Sequence, residues 1–92
     1  MIVCNIEFAM GSLYRDLIVS EICSDAGITR MTWYNTIKCH KVPSIETCFR
    51  IRDALILFVE SVRAPEGSRR WMEKQRFLRE YAFVDKLWSM RY

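Results

Sequence analysis

The strongest constraint on the fold is the spacing of apolar residues between Pro43 and Pro65. Apolar side chains recur there every three or four residues, which is the spacing of one face of an α-helix. They are Ile45, Cys48, Ile51, Leu55, Phe58 and Val62. Ser44 belongs to the residue types that cap helix N-termini, and Glu46 places a negative charge in the first turn, where the helix dipole favours it. The pattern predicts an amphipathic helix that begins after Ser44 and ends near Ser61. We expect this helix to close the core with Phe49, Ile51, Leu55 and Phe58.

Two shorter helical segments precede this helix and are separated by a glycine. The first covers residues 19–26, and Gly27 follows it in the position where glycine commonly ends a helix. Thr29 is a good N-cap for the second segment, residues 30–38, because its side chain can accept a hydrogen bond from the first turn. Residues of both segments fall on common helical faces that we predict to lie in the core: Ile22, Cys23, Ala26, Ile28, Trp33 and Ile37.

The two ends of the chain are less regular. The start of the chain fits two patterns: an alternation typical of a strand in Ile2, Cys4, Ile6 and Phe8, and a helical spacing in Ile6, Ala9, Met10 and Leu13. We favour a helix that bends at Gly11. Residues 64–68 contain Pro65 and Gly67 and form a linker, after which residues 69–91 carry a helical stripe of apolar side chains.

The size and composition of the chain favour one small all-α domain. It has 92 residues and a mass of 11.0 kDa, 51% of the residues are hydrophobic, and it contains only 3 Gly and 2 Pro. We expect a helix-turn-helix domain over residues 1–62, a linker over residues 63–68 and a basic amphipathic helix in residues 69–92. The apolar runs are too short to cross a membrane, and the first residues do not resemble an export signal. We therefore expect no membrane partner and a cytoplasmic location.

The cysteine and histidine content gives little support for catalysis or metal binding. The four cysteines contain no CxxC pair, and we expect them to be reduced and to serve as small apolar residues. The single histidine, His40, follows Cys39 directly, so the two side chains do not naturally face each other as a catalytic pair. The three glycines stand alone and form no phosphate-binding loop. We expect no cofactor, no metal and no enzymatic activity.

Positive charge is concentrated in two regions of the chain. The formal net charge is +3, and residues 63–92 hold 8 basic against 4 acidic residues. From Ala26 to Ile45 there is no acidic residue, whereas Arg30, Lys38 and Lys41 are present. Such local excess of positive charge is typical of surfaces that bind nucleic acid, although many solvated helix faces also show it.

Residues 12–56 resemble a known family. The segment Val19-Ser20-Glu21-Ile22-Cys23, followed by Gly27-Ile28-Thr29-Arg30, is similar to the helix-turn-helix of Cro/repressor-type (Xre-type) proteins. The downstream segment Lys41-Val42-Pro43-Ser44-Ile45-Glu46-Thr47 resembles the same family at the usual distance. The sequence departs from the pattern at Ile18, where the family usually has a capping Ser or Thr. Cys39 and His40 stand where a glycine turn is common.

The resemblance implies that the helix after Thr29 enters the major groove of DNA. The side chains at its start and on its outward face would then contact base edges: Thr29, Arg30, Met31, Tyr34, Asn35 and Lys38. Ser20, Lys38 and Lys41 are better placed for phosphates. Tyr34 is equally well explained as a core residue beside Trp33.

The apolar stripe of the tail requires a partner surface. We predict that it mediates a homodimer, with interface residues Trp71, Phe77, Tyr81, Val84 and Trp88. Docking of the tail onto its own domain is the alternative.

The resemblance leads us to expect a sequence-specific double-stranded DNA-binding protein, a transcriptional regulator such as a repressor, of the small kind found in phages and other mobile elements. The alternative, from a different class, is a helix-turn-helix that serves as a protein-protein interaction or assembly module. The two hypotheses differ in salt response, because phosphate contacts weaken steeply with ionic strength and apolar contacts do not.

Overall fold

A computed structural model describes residues 2–39 and 43–90. Within these residues the fold is all-α, as the sequence predicts, with one short antiparallel ribbon. The elements in chain order are β1 (Ile2–Cys4), α1 (Ile6–Met10), a 3-10 helix (Gly11–Asp16), α2 (Val19–Ala26), α3 (Arg30–Ile37), α4 (Ile45–Ser61), α5 (Arg69–Arg76), a π-helical turn (Phe77–Tyr81), α6 (Val84–Leu87) and β2 (Trp88–Met90). None of the helices in the described segments has the length and apolar character that a membrane crossing demands.

Helix α4 occupies the centre of the fold and has the predicted bounds. Ser44 caps it: the Thr47 N–H donates to Ser44 Oγ over 3.1 Å, and Ser44 Oγ donates to Thr47 Oγ1 over 2.9 Å. The face that it buries consists of Cys48, Ile51, Ala54, Leu55 and Val59. Because this face packs against α2, α6 and the π-helical turn, α4 joins the two halves of the chain into one core.

Two apolar residues of α4 that we expected on its buried side are exposed. Ile45 is exposed in the first turn, and Phe49 is 42% exposed. The Arg52 guanidinium lies 4.8 Å from the centroid of the Phe49 ring, in cation–π geometry. The expectation that Phe49 closes the core is therefore wrong, and Ala54 and Val59 take that role.

The N-terminal segment contains both of the patterns seen in the sequence. Ile2–Cys4 forms a strand, and Ile6–Met10 forms a helix whose Ile6, Ala9 and Met10 are fully buried. Asn5 stands between them and ties the two ends of the chain together. Its N–H donates to the Leu87 carbonyl over 2.7 Å, and its side-chain amide donates to the Lys86 carbonyl over 3.1 Å. The helix favoured for residues 1–10 is thus correct only from Ile6 onward.

The tail is not one helix. A straight helix over residues 69–91 would be about 35 Å long and would carry its last turns away from the core. Instead the chain widens into the π-helical turn, breaks at Ala82 and Phe83, and returns through α6 into β2. Strand β2 pairs antiparallel with β1, with Cys4 opposite Trp88 and Ile2 opposite Met90.

This return docks the tail on its own domain, which corrects the predicted dimer stripe. Phe77 is 0% and Trp88 7% exposed, and both belong to the main core. Trp71, Tyr81 and Val84 are half-buried. Since Phe77 and Trp88 are already covered by this chain, they do not form a surface for a second copy.

A buried carboxylate holds the start of the chain against α5. Glu73 is only 8% exposed, and its Oε2 accepts from the Ser12 N–H over 2.6 Å and from the Ser12 hydroxyl over 2.7 Å. Its Oε1 accepts from Arg69 Nε over 3.1 Å. Burial raises the pKa of this carboxyl, but the bonds from Ser12 and Arg69 outweigh it and lower the pKa below its ordinary value.

Gly11 makes this contact sterically possible. Its φ is +57°, a backbone conformation that side chains rarely adopt, and a Cβ at this position would lie 2.6 Å from Glu73 Oε2. Gly67 also has a positive φ, +85°, but a Cβ there would meet nothing within 4 Å. A substitution at Gly67 therefore adds only backbone strain, whereas a substitution at Gly11 adds the same kind of strain and a clash with Glu73.

We expect Gly11→Ala to destabilise the fold much more than Gly67→Ala. Both variants carry the strain of a positive φ, about 1–2 kcal/mol, and only Gly11→Ala adds about 1–3 kcal/mol from the overpacked contact with Glu73. Urea unfolding at neutral pH measures both losses. Equal free energies of unfolding for the two variants would show that the Glu73 carboxylate does not lie against Gly11.

We expect Glu73→Gln to lower the free energy of unfolding at pH 7 by about 1–3 kcal/mol, because it removes the charge that Ser12 and Arg69 stabilise. The folded-state pKa of Glu73 is depressed, so its contribution is complete above the ordinary value of 4.5 and disappears as the pH falls through the folded pKa. The gap between wild type and variant should therefore close in acid. Glu66→Gln, at an exposed linker position, is the matched control. A gap that stays constant down to pH 2.5 would contradict this assignment.

Candidate nucleic-acid interface

The turn between α2 and α3 is formed by Gly27. Its φ of +68° and ψ of 37° place it in the left-handed region. In this conformation the N–H groups of Gly27 and Ile28 point back to carbonyl groups of α2. The Gly27 N–H donates to the Ser24 carbonyl over 3.2 Å, and the Ile28 N–H donates to the Cys23 carbonyl over 3.0 Å. This is the Schellman pattern, which ends a helix and fixes the direction of the chain that follows.

Helix α3 begins at a capped threonine. The Thr32 N–H donates to Thr29 Oγ1 over 3.1 Å, and the hydroxyls of Thr29 and Thr32 lie 3.0 Å apart. Thr29 is exposed, but its hydroxyl is already engaged in the cap. The structure therefore gives this predicted base-contact residue a local role in holding the helix start.

The inner face of α3 is anchored by Trp33 and Thr36, which are 2% and 3% exposed. The Thr36 hydroxyl donates to the Thr32 carbonyl over 2.8 Å, so its burial leaves no unpaired polar group. Ile28 and Ile37 are partly buried and pack against the core, while Ile22, Cys23 and Ala26 of α2 are buried as predicted. Thr36 was not predicted to be buried, although it lies three residues after Trp33 on the same face.

The outer face of α3 is exposed and carries no acidic residue. Met31 is 73% and Tyr34 52% exposed, and Arg30 and Lys38 are exposed as well. Asn35 is half-buried at the edge of this face. The exposure of Tyr34 excludes the alternative that it completes the core beside Trp33. We call these five residues the α3 face.

The charges around the α3 face are of both signs. Within residues 2–39 and 43–90, Arg30 and Lys38 take part in none of the ion pairs. Ser20 is exposed in the first turn of α2, where Ile18 offers no side-chain cap to the backbone N–H groups. Two acidic residues of α2, Glu21 in its first turn and Asp25 in its last turn, are also exposed. The positive charge is therefore local to α3 and does not extend along α2.

One basic residue near the Gly27 turn, Arg50, was not predicted from the sequence to lie there. A Cβ on Gly27 would lie 3.3 Å from Arg50 Nη1, so the Arg50 guanidinium reaches from α4 to the turn between α2 and α3. Arg50 also pairs with Glu46 over 2.7 Å, and its side chain is about half exposed. Its position on α4, 23 residues after Gly27, gave no local signal of this proximity. Lys41, predicted to contact phosphate, and His40 lie outside the described residues.

Two of the four cysteines are buried and serve as small apolar residues. Cys23 and Cys48 are 4% exposed, and burial raises the pKa of both thiols. Burial likewise raises the pKa of Cys4 to about 11, against an ordinary value of 9.0. A raised pKa keeps a thiol protonated at neutral pH and makes it a weak nucleophile. In the segments that the structure covers, His, Cys, Asp and Glu side chains form no group of three that could hold a metal ion.

Comparison of the chain with protein-family models, with curated proteins and with solved structures finds no match.

Proposed function

We propose that the protein binds double-stranded DNA in a sequence-specific manner and inserts α3 into the major groove. The observation that supports this proposal is the α3 face: an outward surface without acidic residues, held in direction by the Gly27 turn and the Thr29 cap. A major groove about 12 Å wide admits one α-helix, and side chains on its outer face then reach the base edges. The resemblance of residues 12–56 to the Cro/repressor-type family points in the same direction.

Within this proposal, three residues of the α3 face distinguish base pairs. Arg30 pairs bidentately with guanine, and Asn35 pairs with adenine. Met31, which is 73% exposed, packs on the methyl group of thymine. Tyr34 and Lys38 lie at the same surface and complete the contact with the groove walls. Thr29 contributes through the helix cap.

A second set of groups binds the phosphates that flank the groove. The uncapped N–H groups at the start of α2, together with Ser20, present donors to a phosphate oxygen. Lys38 and Lys41 add positive charge, and Arg50 extends this set at the turn. Such contacts set the position of the protein on the duplex and carry no sequence information.

The biological role that fits such a protein is transcription regulation, as a repressor of the kind that phages encode. A small domain of this type gains affinity from a homodimer whose two copies of α3 meet half-sites one helical turn apart. Because Phe77 and Trp88 are buried in the core, the dimer would use other surfaces. We propose a cytoplasmic location for a regulator of this kind, and we propose for it neither an enzymatic activity nor a cofactor.

A protein-protein interaction module is the second candidate, and one observation favours it. Met31 and Tyr34 expose apolar and aromatic surface side by side on α3, where a partner protein would bury it. An assembly or inhibitory protein would use the same face without DNA specificity. Its binding would depend weakly on salt.

We expect Arg30→Ala and Asn35→Ala to relax preference at individual base pairs, each by about 1–3 kcal/mol of discrimination. Lys41→Ala should weaken binding to all duplexes alike and reduce the slope of log affinity against log salt by about 1. Arg63→Ala removes one positive charge from the exposed connection between α4 and α5 and serves as the control. Fluorescence anisotropy with duplexes that differ at single base pairs, at several salt concentrations, measures these effects.

Equal binding of all four variants to every duplex, with little dependence on salt, would contradict recognition through α3. It would favour the interaction module instead. Met31→Glu would then be expected to abolish binding of the protein partner.

A further inference from the structure

A cavity of about 780 Å³ lies beside α5, on a part of the chain that the proposed DNA contact does not use. Three arginines line it, at spacings of seven and three residues along α5 and the π-helical turn: Arg69, Arg76 and Arg79. Trp71 and Met72 supply an apolar wall, and Met72 is 60% exposed. A volume of this size lies within the range of about 300–1,000 Å³ typical of small-molecule sites.

One side of the cavity is held rigidly by the Glu73 network. Glu73 is buried and bonded to Ser12, and its Oε1 accepts from Arg69 Nε. The Arg69 side chain nevertheless stays 88% exposed, because only Nε is engaged. Its terminal nitrogens form no other hydrogen bond within the described residues, so their donors remain available at the cavity.

The other basic residues of α5 are already occupied, which distinguishes them from the cavity arginines. Arg70 pairs with Asp16, and Lys74 Nζ donates to the carbonyls of Glu60 and Val62 over 3.1 and 2.9 Å. Arg76 and Arg79 take part in no ion pair among the described residues. Their charges are opposed at the cavity only by Glu80, since Arg69 and Ser12 engage the Glu73 carboxylate.

The Arg76 guanidinium is oriented by the Tyr81 ring. Its guanidinium carbon lies 5.8 Å from the centroid of the Tyr81 ring, and its Nε is buried with no partner in the described chain. A buried donor without an acceptor is uncommon in folded proteins. Because Nε is covered by the protein, the terminal nitrogens are the part of this guanidinium that can meet an anionic ligand, and they take part in no ion pair among the described residues.

We propose that this cavity binds a small phosphate-bearing molecule that also carries an aromatic or apolar group. Planar guanidinium groups match phosphate oxygens in paired hydrogen bonds, and three arginines line this cavity. Arg76 and Arg79 hold the phosphate, with Arg69 at its side. Trp71 and Met72 pack against the apolar part of the molecule. Glu80 limits the affinity through like-charge repulsion.

The test uses phenyl phosphate, the simplest combination of the two groups, with inorganic phosphate as the comparison. The Nε–H signals of the arginines in ¹⁵N NMR spectra report on each guanidinium separately. We expect saturable shifts of the Arg76 and Arg79 signals, with phenyl phosphate binding about ten times more tightly than inorganic phosphate because its ring packs on Trp71. Sodium chloride at matched ionic strength should produce no saturable change.

Variants make the assignment specific. Arg79→Gln should weaken phenyl phosphate binding about tenfold, and Glu80→Gln should strengthen it about threefold, since it removes the opposing charge. Arg63→Gln changes the net charge as Arg79→Gln does and should bind as wild type. Arg79 is exposed, so its substitution leaves the core intact.

Three results would overturn the proposal. Shifts that sodium chloride reproduces, or an equal loss of affinity in Arg63→Gln and Arg79→Gln, would show a diffuse charge effect. Saturation by an oligonucleotide but not by either small phosphate would show that the arginines bind a nucleic-acid backbone.

One further result would support the proposal. Loss of DNA binding in Arg30→Ala with intact phenyl phosphate binding would show that this site is distinct from the proposed α3 contact.

Discussion

Burial of the inner face of α4 is the interaction on which the rest of the structure depends. Ile51, Leu55 and Val59 are completely covered, and each contributes about 1.5–3 kcal/mol by leaving water. Helix α2 packs on this face from one side, and α6 and the π-helical turn pack on it from the other. The Gly27 turn fixes the direction of α3 relative to α2. Because α2 is in turn held by its packing on α4, that packing also sets the orientation of the proposed DNA-contact surface on α3.

The basic residues divide into those that hold the fold and those that remain available. Arg70 pairs with Asp16. Lys74 donates to the carbonyls of Glu60 and Val62 at the C-terminal end of α4, where the helix dipole favours a positive charge. Arg30 and Lys38 on α3 form no ion pair in the described part of the chain, and the same is true of Arg76 and Arg79 at the α5 cavity. Arg15, Arg63 and Lys86 likewise form no ion pair among the described residues. It is therefore the location of the other four, on the α3 face and at the cavity beside α5, that supports the proposed binding.

The features that could be predicted from sequence are those whose causes are local. The bounds of α4, the Ser44 and Thr29 caps and the turn at Gly27 each depend on residues within one or two helical turns, and all are confirmed. The outward orientation of Arg30, Met31 and Lys38 followed from placing Trp33 on the inner face, and the exposures agree.

The features that escaped prediction depend on contacts between distant parts of the chain. Glu73 lies within a charged helix, and only its approach to Ser12, 61 positions earlier, explains its burial. The break after Tyr81 allows Leu87 and Trp88 to reach the core and β2 to pair with β1, which no helical periodicity can show. Phe49 was expected to close the core, but its position on α4 lies outside the buried face, and the Arg52 guanidinium packs over its ring.

The central claim is that α3 reads DNA sequence, and selection of bound duplexes from a random pool tests it most directly. The protein is immobilised at moderate salt, bound duplexes are amplified, and the enriched sequences are determined over several rounds. The account predicts enrichment of two half-sites related by two-fold symmetry, with centres separated by about 10 base pairs or a multiple of that distance. A pool that binds but contains no enriched sequence after the final round, or a pool that fails to bind at all, would contradict it.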